Sequence, residues 1–156
     1  MKNTDKVTMT VGQLKRLVKE NVSNKDDFVI KNGVLQLYQG NSRDIIIPDG
    51  VWKIGGGAFE GNPWITSVKI GSGVKIIEKV AFFECSALKS VTIGDGVRSI
   101  EMDAFGGCDH LTNVKIGNGV KSIEKGAFNY CPICHLDAPD YNRFMMALQS
   151  ITEPPY

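Results

Sequence analysis

The sequence predicts a solenoid of the α/β class, made of short parallel strands joined by turns, and three observations predict it. Four Ala-Phe pairs, Ala58-Phe59, Ala81-Phe82, Ala104-Phe105 and Ala127-Phe128, follow one another at steps of 23 residues. The apolar residues around them hold the same register: Val51, Val74, Val97 and Val120 align, as do Ile54, Ile77, Ile100 and Ile123. A Gly-x-Gly turn recurs at that step as Gly71-Ser72-Gly73, Gly94-Asp95-Gly96 and Gly117-Asn118-Gly119, with Pro48-Asp49-Gly50 in the first copy. A fixed period of this length marks a stacked array, because a lone unit cannot bury its own Phe and Ile side chains.

The chain reads as one domain with four parts. Residues 1–26 hold an N-terminal helix. Thr10-Val11-Gly12-Gln13 forms a capping box, and Val11, Leu14, Leu17 and Val18 give one apolar stripe over about 11–21. Residues 27–44 are a hairpin cap turning at Asn32-Gly33, which would cover the first rung. Residues 45–139 are the repeats, three full units with partial ones at each end. Residues 140–156 are a C-terminal helix with Phe144, Met145, Leu148 and Ile151 on its apolar side, followed by a tail with Pro154 and Pro155. On this reading the array is capped at both ends.

Within a unit, Leu111-Thr112-Asn113-Val114-Lys115-Ile116 shows the pattern. Val114 and Ile116 lie two apart and face one side of a strand, which leaves Asn113 and Lys115 on the other. The same form recurs from Ile65 to Ile70 and from Leu88 to Ile93. The Gly-x-Gly turn then reverses the chain, with glycine expected at positive φ. A second extended segment such as Val97 to Ile100 leads to a tight helical turn carrying Ala104 and Phe105. The four Phe residues should form one buried column.

These residues resemble the leucine-rich repeat family and, within it, the 23-residue BspA-like class of bacterial surface proteins, with units of the form Val-x-x-Ile-x-x-x-Ala-Phe-x-x-Cys-x-x-Leu-x-x-Val-x-Ile. The resemblance covers Ile45 to about Pro139. It implies a right-handed solenoid with a parallel sheet on its concave face and short helical or irregular turns outside. It also implies protein binding, or adhesion, without catalysis.

Composition narrows the function further. Eighteen basic residues against seventeen acidic ones leave a net charge of +1, which gives no general attraction to nucleic acid. No apolar run reaches the roughly 18 residues of a membrane helix, and Met1 to Thr10 lacks the apolar core of a signal peptide. The expected location is cytoplasmic as written, or the cell surface or exterior if a leader has been removed; a monomer is expected.

Apparent chemical motifs dissolve in the repeat register. Cys131-Pro132-Ile133-Cys134-His135 has the spacing of a c-type haem attachment, but Cys131 occupies the position of Asn62, Cys85 and Cys108. A zinc site would need a second ligand pair beyond Cys131 and Cys134. A triad of Ser90, His135 and Asp137 fails on distance, two rungs being roughly 10 Å where a serine and its base must approach to about 3 Å. The Gly-x-Gly turns lack the Lys-Ser/Thr of a phosphate loop. No cofactor and no enzyme activity are expected. The cysteines read as a ladder of reduced thiols, although rungs roughly 5 Å apart also lie within disulfide range. Lys75, Arg98 and Lys121 form a basic column beside an acidic one of Glu78, Glu101 and Glu124, read as local ion pairs.

The remaining surface is the outward face of the concave strands: Asp44 and Ile46, Ser67 and Lys69, Ser90 and Thr92, Asn113 and Lys115, His135 and Asp137. It is the candidate binding face, polar and suited to an extended or acidic protein partner near Lys69 and Lys115. Trp52 and Trp64 are the candidate edge site, with packing of Trp64 against the hairpin as the other reading. The expected function is a non-catalytic protein-interaction module; the alternative is a structural or adhesive segment of a bacterial surface protein.

Overall fold

A computed structural model describes residues 10–11, 24–133 and 135–137, with backbone alone at 135 and 136. The expected helices at 11–21 and in 140–156 fall almost wholly outside these residues. A single 3-10 turn, Lys25–Asp27, is capped by the Asn24 side chain and leads into the hairpin of β1 (Phe28–Lys31) and β2 (Val34–Tyr38). Asn32 and Gly33 take φ of 51° and 75°, the paired positive values of a two-residue turn that matches strand twist. The hairpin is antiparallel, and β2 then pairs in parallel with the first rung.

Each rung contributes one strand to each of two sheets. The longer strands are β3 (Asp44–Ile46), β5 (Ser67–Ile70), β7 (Ser90–Ile93), β9 (Asn113–Ile116) and β11 (His135–Asp137), stacked in parallel in chain order. The two-residue strands β4 (Lys53–Ile54), β6 (Ile76–Ile77), β8 (Ser99–Ile100) and β10 (Ser122–Ile123) extend the hairpin into the second sheet. Val68, Ile70, Val91, Ile93, Val114 and Ile116 point inward from the first sheet and Ile54, Ile77 and Ile100 from the second, all buried.

Between the sheets runs the aromatic column. Phe59, Phe82, Phe105 and Phe128 stack with centroids 4.5, 5.0 and 5.1 Å apart and rings within 9° of parallel. Tyr38 continues the stack at 5.2 Å from Phe59, and Phe28 closes it against Tyr38. The hairpin thus supplies the aromatic layer that the first rung needs on its outer side.

The segment carrying Ala-Phe is not a helical turn. Amides alternate between a bond to the third residue back, as in Ala104 N–H to Glu101 O, and a bond to the next rung, as in Phe105 N–H to Ala127 O. Two residues per rung sit in the left-handed region, one in the column Gly57, Val80, Asp103 and Gly126 and one in the column Gly61, Glu84, Gly107 and Tyr130. Those reversals fold the segment into successive turns and prevent a run of helical bonds. From residue 24 onward the described residues hold no α-helix, so the fold is a β-solenoid of about four turns rather than an α/β array.

The Gly-x-Gly turns also differ from expectation. Only Gly50 among them takes a positive φ. Gly96 is required for another reason: a Cβ there would overlap the carbonyl oxygen of Ser72 on the preceding rung. Close stacking of backbone, and not turn geometry, demands glycine at that position.

Candidate binding surface

The first sheet aligns the expected face into two ladders by backbone register. Register pairs Asp44 with Ser67, Ser90, Asn113 and His135 in one, and Ile46 with Lys69, Thr92, Lys115 and Asp137 in the other. Alternation of a strand does this directly, since residues two apart share a face. Asp44 accepts a 2.6 Å hydrogen bond from the Ser67 hydroxyl, and the Asn113 amide reaches Thr112 Oγ1 at 3.4 Å. Lys69, Thr92 and Lys115 are exposed, and their side chains make no hydrogen bond or ion pair among the described residues. Ile46 is 55% exposed, an apolar contact on an otherwise polar face. Two cations missed by alternation stand at the entry of the strands, the exposed Arg43 and Lys89; their place at the 23-residue step, shared with Thr66 and Thr112, was the available signal.

The two tryptophans do not form one edge. Trp52 leads into β4 of the second sheet, and its indole N–H donates to the Asn32 carbonyl at 3.0 Å, with Lys53 Nζ 5.2 Å from the ring centroid. It is Trp52, then, that fastens the hairpin turn to the first rung. Trp64 leads into β5 of the first sheet, half a rung away, and is 54% exposed. Asn62 Oδ1 orders the chain there by accepting from the amides of Trp64 and Ile65.

The glutamate column and Arg98 hold rungs together, and the two charged columns do not pair with each other among the described residues. Glu78, Glu101 and Glu124 each accept a backbone amide from the preceding rung, at Gly56, Lys79 and Met102, over 2.9, 3.0 and 2.8 Å. Arg98 donates to the carbonyls of Asp95 and Gly119, and Lys75 to that of Ser72. Among the described residues the one Lys/Arg–carboxylate pair is Lys53–Glu78 at 2.6 Å. Its hydrogen bond, aided by the Gly56 amide and opposed by partial burial, holds the Glu78 carboxyl below the usual range. The expected pairing of the two columns is thereby corrected: the backbone of the adjacent rung lies nearer to each Glu than the cation three residues before it.

The cysteines form an internal ladder. Cys85, Cys108 and Cys131 are free thiols that donate to the carbonyls of Phe59, Phe82 and Phe105, one rung back, at 3.1, 3.1 and 3.0 Å. The adjoining Cys108 thiol and burial push Cys85 and Cys131 well above the ordinary thiol range. Cys134 lies outside the described residues. His110 Nδ1 meets the Ser86 carbonyl at 2.7 Å and Asp109 at 3.1 Å; among the described residues no three His, Cys, Asp or Glu groups converge as metal ligands.

Comparison with known proteins agrees with this architecture. The BspA type leucine-rich repeat region matches residues 30–146 in six copies. A leucine-rich cell surface protein from Faecalibacterium prausnitzii is 30% identical, with a TM-score of 0.52 over 75% of this chain and 40% of its own. A leucine-rich repeat protein from Bacteroides ovatus is 25% identical, with a TM-score of 0.57 over 76% of this chain and 39% of its own. The leucine-rich repeat protein of T. pallidum, 20% identical, shares the fold at a TM-score of 0.55 over 75% of this chain and 71% of its own. No curated protein matches the sequence. The chain spans about two fifths of the length of the first and second of these relatives. With its period, its two stacked sheets and its Phe column, the chain belongs to the BspA-type leucine-rich repeat family.

Proposed function

We propose that this chain is a non-catalytic interaction module that docks a protein partner on the outward face of the first sheet. The residues assigned to that role are Ser67, Lys69, Ser90, Thr92, Asn113 and Lys115, with His135 and Asp137 on the last strand. One observation carries the reading: five strands in register present side chains whose polar groups, at Lys69, Thr92 and Lys115, are not consumed by the fold. The columns on the other sides behave differently, since their Glu, Arg and Cys groups are engaged in holding rungs together. Trp64 is the secondary candidate; Trp52 is weaker, because its indole N–H is already bonded.

Affinity capture tests this. A partner retained by the wild type and released by Lys69→Glu/Lys115→Glu, with circular dichroism unchanged, supports docking on this face. Retention by the double variant and release by Trp64→Ala would move the site to the rim.

A second reading is favoured by the 30% identity to a cell surface protein. In it the repeats serve a bacterial surface protein as spacer and adhesive contact. Labelling of intact source cells with an impermeant reagent would tag this chain if it is displayed, and would leave it untagged if it acts inside.

A further inference from the structure

We infer that the occupant of the first sheet's outward face is an acidic segment in polyproline II conformation, carrying carboxylates three residues apart. The inference rests on the docking reading above and adds the chemistry and spacing of what docks. The ladder Ile46, Lys69, Thr92, Lys115, Asp137 runs across successive strands. Lys69 and Lys115 are two strands apart, which is roughly 9.5 Å at the ordinary strand spacing. A polyproline II chain lying along the ladder returns to the same side every third residue, after roughly 9.3 Å. Carboxylates at i and i+3 therefore meet both ammonium groups at once. An extended β-strand, whose same-side residues recur at roughly 6.7 Å, aligns with only one.

Three further features fit that occupant. A polyproline II backbone has no internal hydrogen bonds, so its carbonyls seek donors; the adjacent ladder offers the Ser90 hydroxyl, unengaged among the described residues, and the second amide hydrogen of Asn113. Ile46, exposed one strand before Lys69, gives a proline or other apolar residue a contact. Asp137, one strand beyond Lys115 in register, reverses the sign of the ladder. A uniform polyanion would meet like charge there, whereas a segment with two carboxylates ends before it.

The test uses labelled peptides and fluorescence anisotropy. Pro-Pro-Glu-Pro-Pro-Glu-Pro-Pro is expected to bind at least about tenfold more tightly than its isomer Pro-Pro-Pro-Glu-Glu-Pro-Pro-Pro. Lys69→Gln or Lys115→Gln should abolish that difference, and Lys121→Gln, outside the sheet face, should leave it. Equal binding of the isomers overturns the inference, as does competition by polygalacturonate stronger than by either peptide. If a natural partner is still released by Lys69→Glu/Lys115→Glu while the isomers bind equally, the spacing fails and the docking reading stands. If the partner ignores the double variant, the docking reading fails as well.

Discussion

At the scale of single residues, two kinds of constraint set the turns, and they make opposite predictions for similar substitutions. Gly96 is held by its neighbour: a methyl group there overlaps the Ser72 carbonyl, whereas a methyl on the equivalent Gly73 lies 3.6 Å from the nearest atom, Val51 O. Gly96→Ala should therefore cost about 3 kcal/mol by forcing two rungs apart. Gly73→Ala should change stability by less than about 0.5 kcal/mol. Urea denaturation of the two variants checks the contrast. Val80 is held by its own backbone, at φ 55° in a column where Gly57 and Gly126 stand in other rungs. A β-branched side chain is strained there. Val80→Gly should raise stability by roughly 0.5–1 kcal/mol, the relief of strain exceeding the added freedom of the unfolded chain. An unchanged or lower melting midpoint would contradict the assignment.

The strands, turns and columns explain which parts of the fold could be read in advance. The Phe column was legible because one side chain per period must be buried in any stacking. Phe105→Ala, in the middle of that column with no exposed surface, should cost about 3–5 kcal/mol in a denaturant titration. The strands and the Asn32-Gly33 hairpin were legible through alternation and turn chemistry. The helical turn was misread, because left-handed residues on either side of Ala-Phe in each rung break the run of helical bonds. Glycine at 57 and 126, in the same column as Val80 and Asp103, was the sign of left-handed turns. The glutamate column was misread because linear spacing shows the nearby cation and hides the amide on the next rung. The Lys53–Glu78 pair, aided by that amide bond, has a consequence in acid. The Glu78 carboxyl is held below its usual value, so it stabilises the fold above the ordinary carboxylate pKa, and the contribution is lost as pH falls through the lowered one. Thermal melts from pH 6 to pH 3 should show a smaller acid loss for Glu78→Gln than for the wild type.

For the molecule as a whole, stacking divides the surface into faces with different duties. On the second sheet and the outer turns, Glu78, Glu101, Glu124 and Arg98 spend their polar groups on neighbouring rungs. The first sheet closes its ladder with backbone bonds and leaves Lys69, Thr92 and Lys115 outward. The candidate face was legible because a two-residue period puts these side chains together. The separation of Trp52 from Trp64 was not, since both belong to one unit and their half-rung offset appears only when the unit folds. Lys69, Thr92 and Lys115 on one sheet, unengaged among the described residues, are the ground for the proposal that a protein docks there. Hydrogen-exchange mass spectrometry on the complex with a captured partner tests that claim most directly. Docking on this face predicts added protection in peptides covering the first sheet, β3 to β11, greatest over β5, β7 and β9. Protection on the second sheet and outer turns, with those strands unchanged, would contradict it.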